Sequence, residues 1–171
     1  MEFNDVLATR QAVRDYKDED VTEEQLQAVL DAGKSAPVGM GEFGKFKINV
    51  VTNPIYLSFI QRAASKRFGR DEMLYGAPVF IFVSAAGDDD PMAHASAATI
   101  VENMVLEAYN QGLGACHIWG VTGALAQDPD TCEKIGLIED QIPLGGLVVG
   151  VPYQKLEKRP MQERIEVNFF R

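Results

Sequence analysis

Apolar and polar positions along the chain switch between two periods, dividing it into alternating helices and strands. Val21-Thr22-Glu23-Glu24-Gln25-Leu26 reads as a helix start: Thr22 can cap, Gln25 can reach back to it, and Val21 can staple against Leu26. The helix is expected to run to about Lys34, because Pro37 disfavours helix at the residue before it. A glycine-rich loop follows, and Phe46–Val51 resumes as strand. Asn53-Pro54 is a turn that opens a second helix through Leu57, Ile60 and Ala64. Ala77–Val83 is continuously apolar, the pattern of a buried strand.

The Gly87–Pro91 cluster reads as a solvated loop. From about Met92 to Gln111, apolar residues at 97, 98, 101, 104, 105 and 108 follow the helical period, and Ala93, Ala95, Ile100 and Leu106 widen that face. Such a helix is expected to be buried on most sides. Gly112 suits a left-handed cap, Ala115–Ile118 is a short strand, and a loop or helix crosses to a strand at Leu147–Val151. Beyond the Lys155–Pro160 link, Arg164–Phe170 alternates as a strand would; with nothing local to pair, it is expected to join another chain's sheet. This order predicts a layered α/β or α+β domain covering 1–171 as one unit.

Composition narrows the functions available. The chain has 171 residues, 46% hydrophobic and 24% charged, with a net charge of -9. That charge disfavours unspecific attraction to nucleic acid or to anionic membranes. The acidic start MEFNDVL lacks a secretory signal pattern and no apolar run approaches a membrane span, so a cytoplasmic location is expected. Cys116 and Cys132 are expected as free thiols, and His94 and His117 have no ligand-spaced Cys/His cluster, so no metal is expected.

Several candidates for chemistry keep two readings. Gly39-Met40-Gly41-Glu42-Phe43-Gly44 spells G-x-G-x-x-G, but it leaves a helix and enters a strand, the reverse of a Rossmann loop; it reads as a flexible or ligand-covering loop. Arg10 and Arg14, four apart, are by spacing two solvated residues on one helix face, although the guanidinium fork also suits phosphate and carbonyl groups. Trp119 lies where a strand ends and the chain turns at Gly120. It either packs in the core or lines a ligand pocket. No nucleophile elbow, zinc helix motif or P-loop occurs.

Taken in order, Arg10-Gln11-Ala12-Val13-Arg14, Ala36-Pro37, Gly76-Ala77-Pro78-Val79, Glu102-Asn103-Met104, Gly112–Cys116, and Gly150-Val151-Pro152 before Lys158-Arg159-Pro160 resemble the nitroreductase family of FMN proteins. The resemblance spans nearly the whole chain. It implies a three-layer α+β fold: a mixed, mainly antiparallel sheet flanked by helices. It also implies a homodimer in which an arm of about residues 155–171 exchanges its strand, with FMN at the interface. The apolar helix from Met92 would then pack at the dimer centre.

Residue by residue, the resemblance implies that Arg10 binds the FMN phosphate end, Arg14 the pyrimidine edge, and Arg159 with Lys158 the phosphate. Gln11 and Ala12 would contribute backbone. Pro37, Val38, Gly39 and Gly41 would cover the flavin from the second subunit, without the Asn side chain that many members carry there. Ile118, Trp119 and Gly120 would bring amides toward flavin N5. Four residues span about 6 Å as helix but about 13 Å extended, so arginines gripping opposite ends of FMN require the chain to leave helical form near Arg10.

The implied activity is ping-pong hydride transfer from NAD(P)H through flavin N5 to nitroaromatic, quinone or similar acceptors. The short Ala86–Met92 link predicts an open active site. The alternatives are a flavin-sequestering protein with little turnover, a reductive dehalogenase-type flavoenzyme, and an interaction domain without flavin.

Overall fold

The computed structural model describes residues 1–87, 90–138, 140–160 and 165–171. Helix α1 (Phe3–Thr9) precedes a non-helical segment, and α2 (Glu23–Lys34) follows. The Thr22 hydroxyl accepts from the Gln25 amide and the Gln25 side chain accepts from the Thr22 amide, completing the expected capping box. Two short 3₁₀ turns, Gly39–Gly41 and Phe43–Lys45, lead into β1 (Phe46–Val51). Asn53 then caps α3 (Pro54–Phe68) by accepting from the Ile55 amide at 2.9 Å.

Strand β2 (Val79–Ala86) is buried to Ala85; it begins two residues later than the apolar run and extends three further. Asp90 accepts from the amides of Met92 and Ala93 and so caps α4 (Pro91–Asn110), while Asp88 and Asp89 lie outside the described residues. Gly112 turns at φ +77°, the expected left-handed position, into β3 (Gly114–His117). Helices α5 (Trp119–Leu125) and α6 (Pro129–Lys134) cross to β4 (Gln141–Gly150). The turn expected at Gly120 is therefore the first turn of a helix.

The strands form one sheet in the order β1-β2-β4-β3, and every pairing is antiparallel. Within these four strands the sheet is thus antiparallel rather than mixed. Adjacent glycines of β4 show how the layers lie. A Cβ on Gly145 would approach Val101 of α4 and Trp119, whereas a Cβ on Gly146 would meet the Ile81 carbonyl oxygen at 2.8 Å and Thr122 of α5. Since successive strand residues face opposite sides, α4 covers one face and α5 the other. Helix α2 packs outside α4, and α3 outside α5. The core runs through both faces, with Phe80, Phe82, Met104 and Tyr109 among its largest buried side chains.

The tail behaves differently. Residues 165–171 form no strand in the single chain, and Ile165, Val167, Phe169 and Phe170 are all exposed; Arg164 lies outside the described residues. Among the described residues no helix is long and apolar enough to cross a membrane.

Candidate functional site

The arginine pair is not on a helix. Helix α1 stops at Thr9, Arg10 turns to ψ 125°, and the chain stays non-helical through Asp15. Long-range hydrogen bonds hold it out. The Val13 amide donates to the Ala115 carbonyl at 3.1 Å, Lys17 donates to Val151 at 2.8 Å, and the Tyr109 hydroxyl donates to the Gln11 carbonyl. Val13 is fully buried against Gly114, while its neighbours Ala12 and Arg14 face outward, the alternation of an extended chain. The reading of two arginines on one helix face is overturned, and the departure from helix expected near Arg10 is present.

Around Arg14 the surroundings are aromatic and sulfur-bearing. Its guanidinium lies 5.9 Å from the Tyr75 ring centroid and beside the Cys116 thiol. Burial pushes the Cys116 thiol up, and Arg14 partly pulls it back. Tyr16, whose hydroxyl donates to the Val13 carbonyl at 2.8 Å, is likewise pushed well above the ordinary phenol by burial. Cys116 and Cys132 are both free, the first buried and the second half-buried.

The C-terminal link returns to the same place. The Arg159 amide donates to Ala8 at 3.0 Å, and its guanidinium donates to the Arg10 carbonyl. Arg10, Lys158 and Arg159 are therefore brought together, although Lys158 is paired with Asp5 at 2.7 Å. Among the described residues, no carboxylate pairs with Arg10, Arg14 or Arg159. In a chain of net charge -9, cations left without acids in one place favour an anionic ligand.

The glycine loop lies elsewhere. The Thr99 hydroxyl donates to the Pro37 carbonyl and the Gly39 amide donates to the Ser96 hydroxyl, each at 2.9 Å, so Pro37–Gly41 is tied to the N-terminal half of α4. A side chain at Gly39 would strike Met92 at 2.5 Å, and Met40 and Gly41 both take positive φ. Ser96 and Tyr109 are thirteen positions apart on α4, about 20 Å along its axis. One chain does not bring this loop, Val38 included, to the arginines.

Trp119 opens α5 and is 53% exposed, with its ring 5.0 Å from the His94 imidazole; it is not a core residue. The Ile118 amide is committed to the Gly146 carbonyl at 2.9 Å. Trp119 and Gly120 sit in the first helical turn, where amides have no carbonyl four residues back in the same helix. Sequence reasoning missed Tyr75, Tyr109 and the His117–Glu102 pair, whose nitrogen and oxygen are 2.9 Å apart. Only Tyr75 carried a local signal, a large residue just before Gly76 in a turn.

The sequence model of the nitroreductase family matches residues 7–151. The chain belongs to the nitroreductase family. Its fold matches the FMN-bound nitroreductase of Bacteroides fragilis at a TM-score of 0.85 and 23% identity, covering 100% of both chains. It matches the FMN-bound nitroreductase of Desulfitobacterium hafniense at 0.86 and 19%, again over 100% of both. A BluB-like flavoprotein from Clostridium difficile matches at 0.78 and 20% over the same full lengths. No curated protein matches the chain. In this nitroreductase-family chain a cavity of about 730 Å³, lined by Tyr16, Gln61, Ser65 and Tyr75 among others, lies beside Arg14.

Proposed function

We propose that this chain is an FMN-dependent oxidoreductase that takes hydride from NAD(P)H and passes it to a nitroaromatic, quinone or similar small acceptor in ping-pong order. Membership of the nitroreductase family supports the oxidoreductase class. The observation that carries the cofactor is the extended Arg10–Arg14 segment. It sets the Cα atoms of two carboxylate-free arginines up to about 13 Å apart, against about 6 Å in a helix, with Arg159 beside the first. Such a span lets each meet a different end of FMN. FMN, when bound, supplies the N5 atom that accepts and releases hydride.

The residues present fit that group. Arg10 and Arg159 would hold its phosphate, and Arg14 the pyrimidine edge, where a cation stabilises negative charge on the reduced ring. Gln11 and Ala12 would offer backbone. Lys158 would add its charge only by giving up Asp5. The amides of Trp119 and Gly120 would face N5, while Ile118, its own amide occupied, would fix the strand end.

The reading requires a homodimer. A glycine loop about 20 Å along α4 from the arginines can cover their ligand only from a second copy. Ala95 and Ala98 lie exposed on α4, and four apolar tail residues are exposed beyond the 155–160 link. Both surfaces suit a partner subunit, with the tail strand exchanged. The location proposed is cytoplasmic.

The test is to purify the protein with FMN and follow NADH and NADPH oxidation with nitroaromatic and quinone acceptors. Turnover with at least one nucleotide is expected, and failure of both to react with the loaded protein would contradict it. A second reading, flavin sequestration with little turnover, is favoured by the loop, which offers backbone and apolar groups at Val38–Gly41. Stoichiometric FMN without nucleotide oxidation would select it.

A further inference from the structure

The aromatic ring beside Arg14 is carried by a turn with unusual backbone. Four non-glycine residues take positive φ among the described residues, and two of them, Glu72 at 56° and Tyr75 at 57°, belong to the turn before β2; Gly76 follows at 69°. A bulky residue in the left-handed region costs free energy and persists where the surroundings hold it. Here the Tyr75 amide donates to Glu72 at 3.0 Å, the Ala77 amide to Leu74 at 3.1 Å, and the Leu74 amide to the Gln61 side chain at 2.9 Å. The turn is thus fixed to α3. Its result is to carry the half-buried Tyr75 ring to the Arg14 guanidinium, at 5.9 Å, which also lies beside the buried Cys116. None of these backbone bonds requires an aromatic side chain at this position, and the Tyr75 hydroxyl donates to nothing among the described residues.

We propose that Tyr75 is a positioning residue: its ring holds the Arg14 guanidinium at the redox end of the cofactor site and thereby raises the reduction potential of the bound flavin. The proposal rests on the reading of Arg14 as the pyrimidine-edge cation. The ring acts through its electron-rich face, which attracts a cation within about 6 Å, and needs no hydroxyl. An unheld arginine on a solvated surface spreads over several rotamers and spends less time against the flavin edge. Loss of the ring should therefore weaken binding of reduced flavin more than binding of oxidised flavin.

The experiment measures FMN dissociation constants and the two-electron midpoint potential of the full chain loaded with FMN, in Tyr75→Leu, Tyr75→Phe and Arg14→Ala variants. Tyr75→Leu is expected to lower the ratio of reduced to oxidised affinity by about threefold to tenfold. Tenfold is about 30 mV downward for a two-electron couple. Tyr75→Phe should stay at the parent value, which a hydroxyl-dependent role would not predict, while a lowered potential in a Tyr75→Leu protein that keeps its thermal midpoint is what a merely structural role would not predict. If Arg14→Ala lowers the potential and Tyr75→Leu does not, the positioning role is wrong while the cofactor reading stands. If Arg14→Ala itself leaves the potential unchanged, the reading beneath the proposal fails and the proposal with it. A fall in Tyr75→Leu shared equally by Tyr75→Phe overturns the ring mechanism. The thermal midpoint of each flavin-free variant identifies any that fails to fold, and Tyr75→Met then replaces Tyr75→Leu.

Discussion

Gly114→Ala tests how the fold presents the arginines. A Cβ at Gly114 would stand 2.9 Å from Val13 Cγ1, 3.0 Å from its Cβ and 3.0 Å from its Cγ2. Three contacts that close converge on one side chain that is fully buried and, being β-branched, has little rotamer freedom with which to yield. The clash must move Val13, and Val13 carries the amide that anchors the Arg10–Arg14 segment to Ala115. Overpacking of this kind costs about 1–3 kcal/mol. Taking about 2 kcal/mol and an m-value of roughly 2–3 kcal/mol/M, the urea midpoint should fall by about 0.7–1 M at fixed protein concentration. FMN affinity, measured below the transition, should fall as well, because the displaced backbone carries both arginines. Gly123→Ala is the control: a Cβ there meets nothing within 4 Å, and alanine in a helix is favoured over glycine by about 1 kcal/mol, so its midpoint should rise. A Gly114→Ala protein with the parent's midpoint and FMN affinity would refute the reasoning.

Other consequences are open to simpler measurements. Arg10→Ala should weaken FMN binding by about 10- to 150-fold, the loss of a charged hydrogen bond of about 1.5–3 kcal/mol, while leaving the potential close to the parent's; Arg14→Ala should weaken binding and also lower the potential, so equal flavin loss with unchanged potential in both would refute the division. Thr22→Ala, which removes the capping hydroxyl, should cost about 1 kcal/mol in urea unfolding, and no loss would show that the cap contributes nothing. Burial raises the Cys116 and Tyr109 pKa values in the folded chain, so the unfolded chain releases these protons first; stability should be full below the ordinary thiol range and fall above about pH 9, which urea midpoints across that range would check. Truncation before Ile165 removes the exposed apolar tail and should shift the protein from dimer to monomer in sedimentation.

The elements with local causes were legible in the sequence. The Thr22–Gln25 box, Asn53-Pro54 and Gly112 each act through neighbours a few residues away, and each stands where its chemistry placed it. What was hidden depends on distant contacts. Arg10 and Arg14 have helical spacing, and bonds to residues about a hundred or more positions on, Tyr109, Ala115 and Val151 among them, hold the segment out of helix. The first half of β4 was obscured by Pro143, Gly145 and Gly146. The pairing accepts them because the register shifts between Val83 and Ser84, passing over Leu144, and because the Ile81 carbonyl leaves no room for a side chain at Gly146. Trp119 looked equally suited to core or pocket; it opens α5 directly after Ile118, whose amide still bonds to β4, and it is exposed there. The partition of the site residues along α4 was readable only through the family resemblance.

The central claim, an FMN site built on the extended Arg10–Arg14 segment, is tested most directly by titrating the purified chain with FMN and reading the visible flavin bands and fluorescence of the bound fraction, beside the Arg10→Ala/Arg14→Ala double variant. The account predicts one FMN bound per chain in the parent and a loss of binding in the double variant that leaves its fold intact. A parent that stays colourless in excess FMN, or a double variant that binds as the parent does, would contradict it.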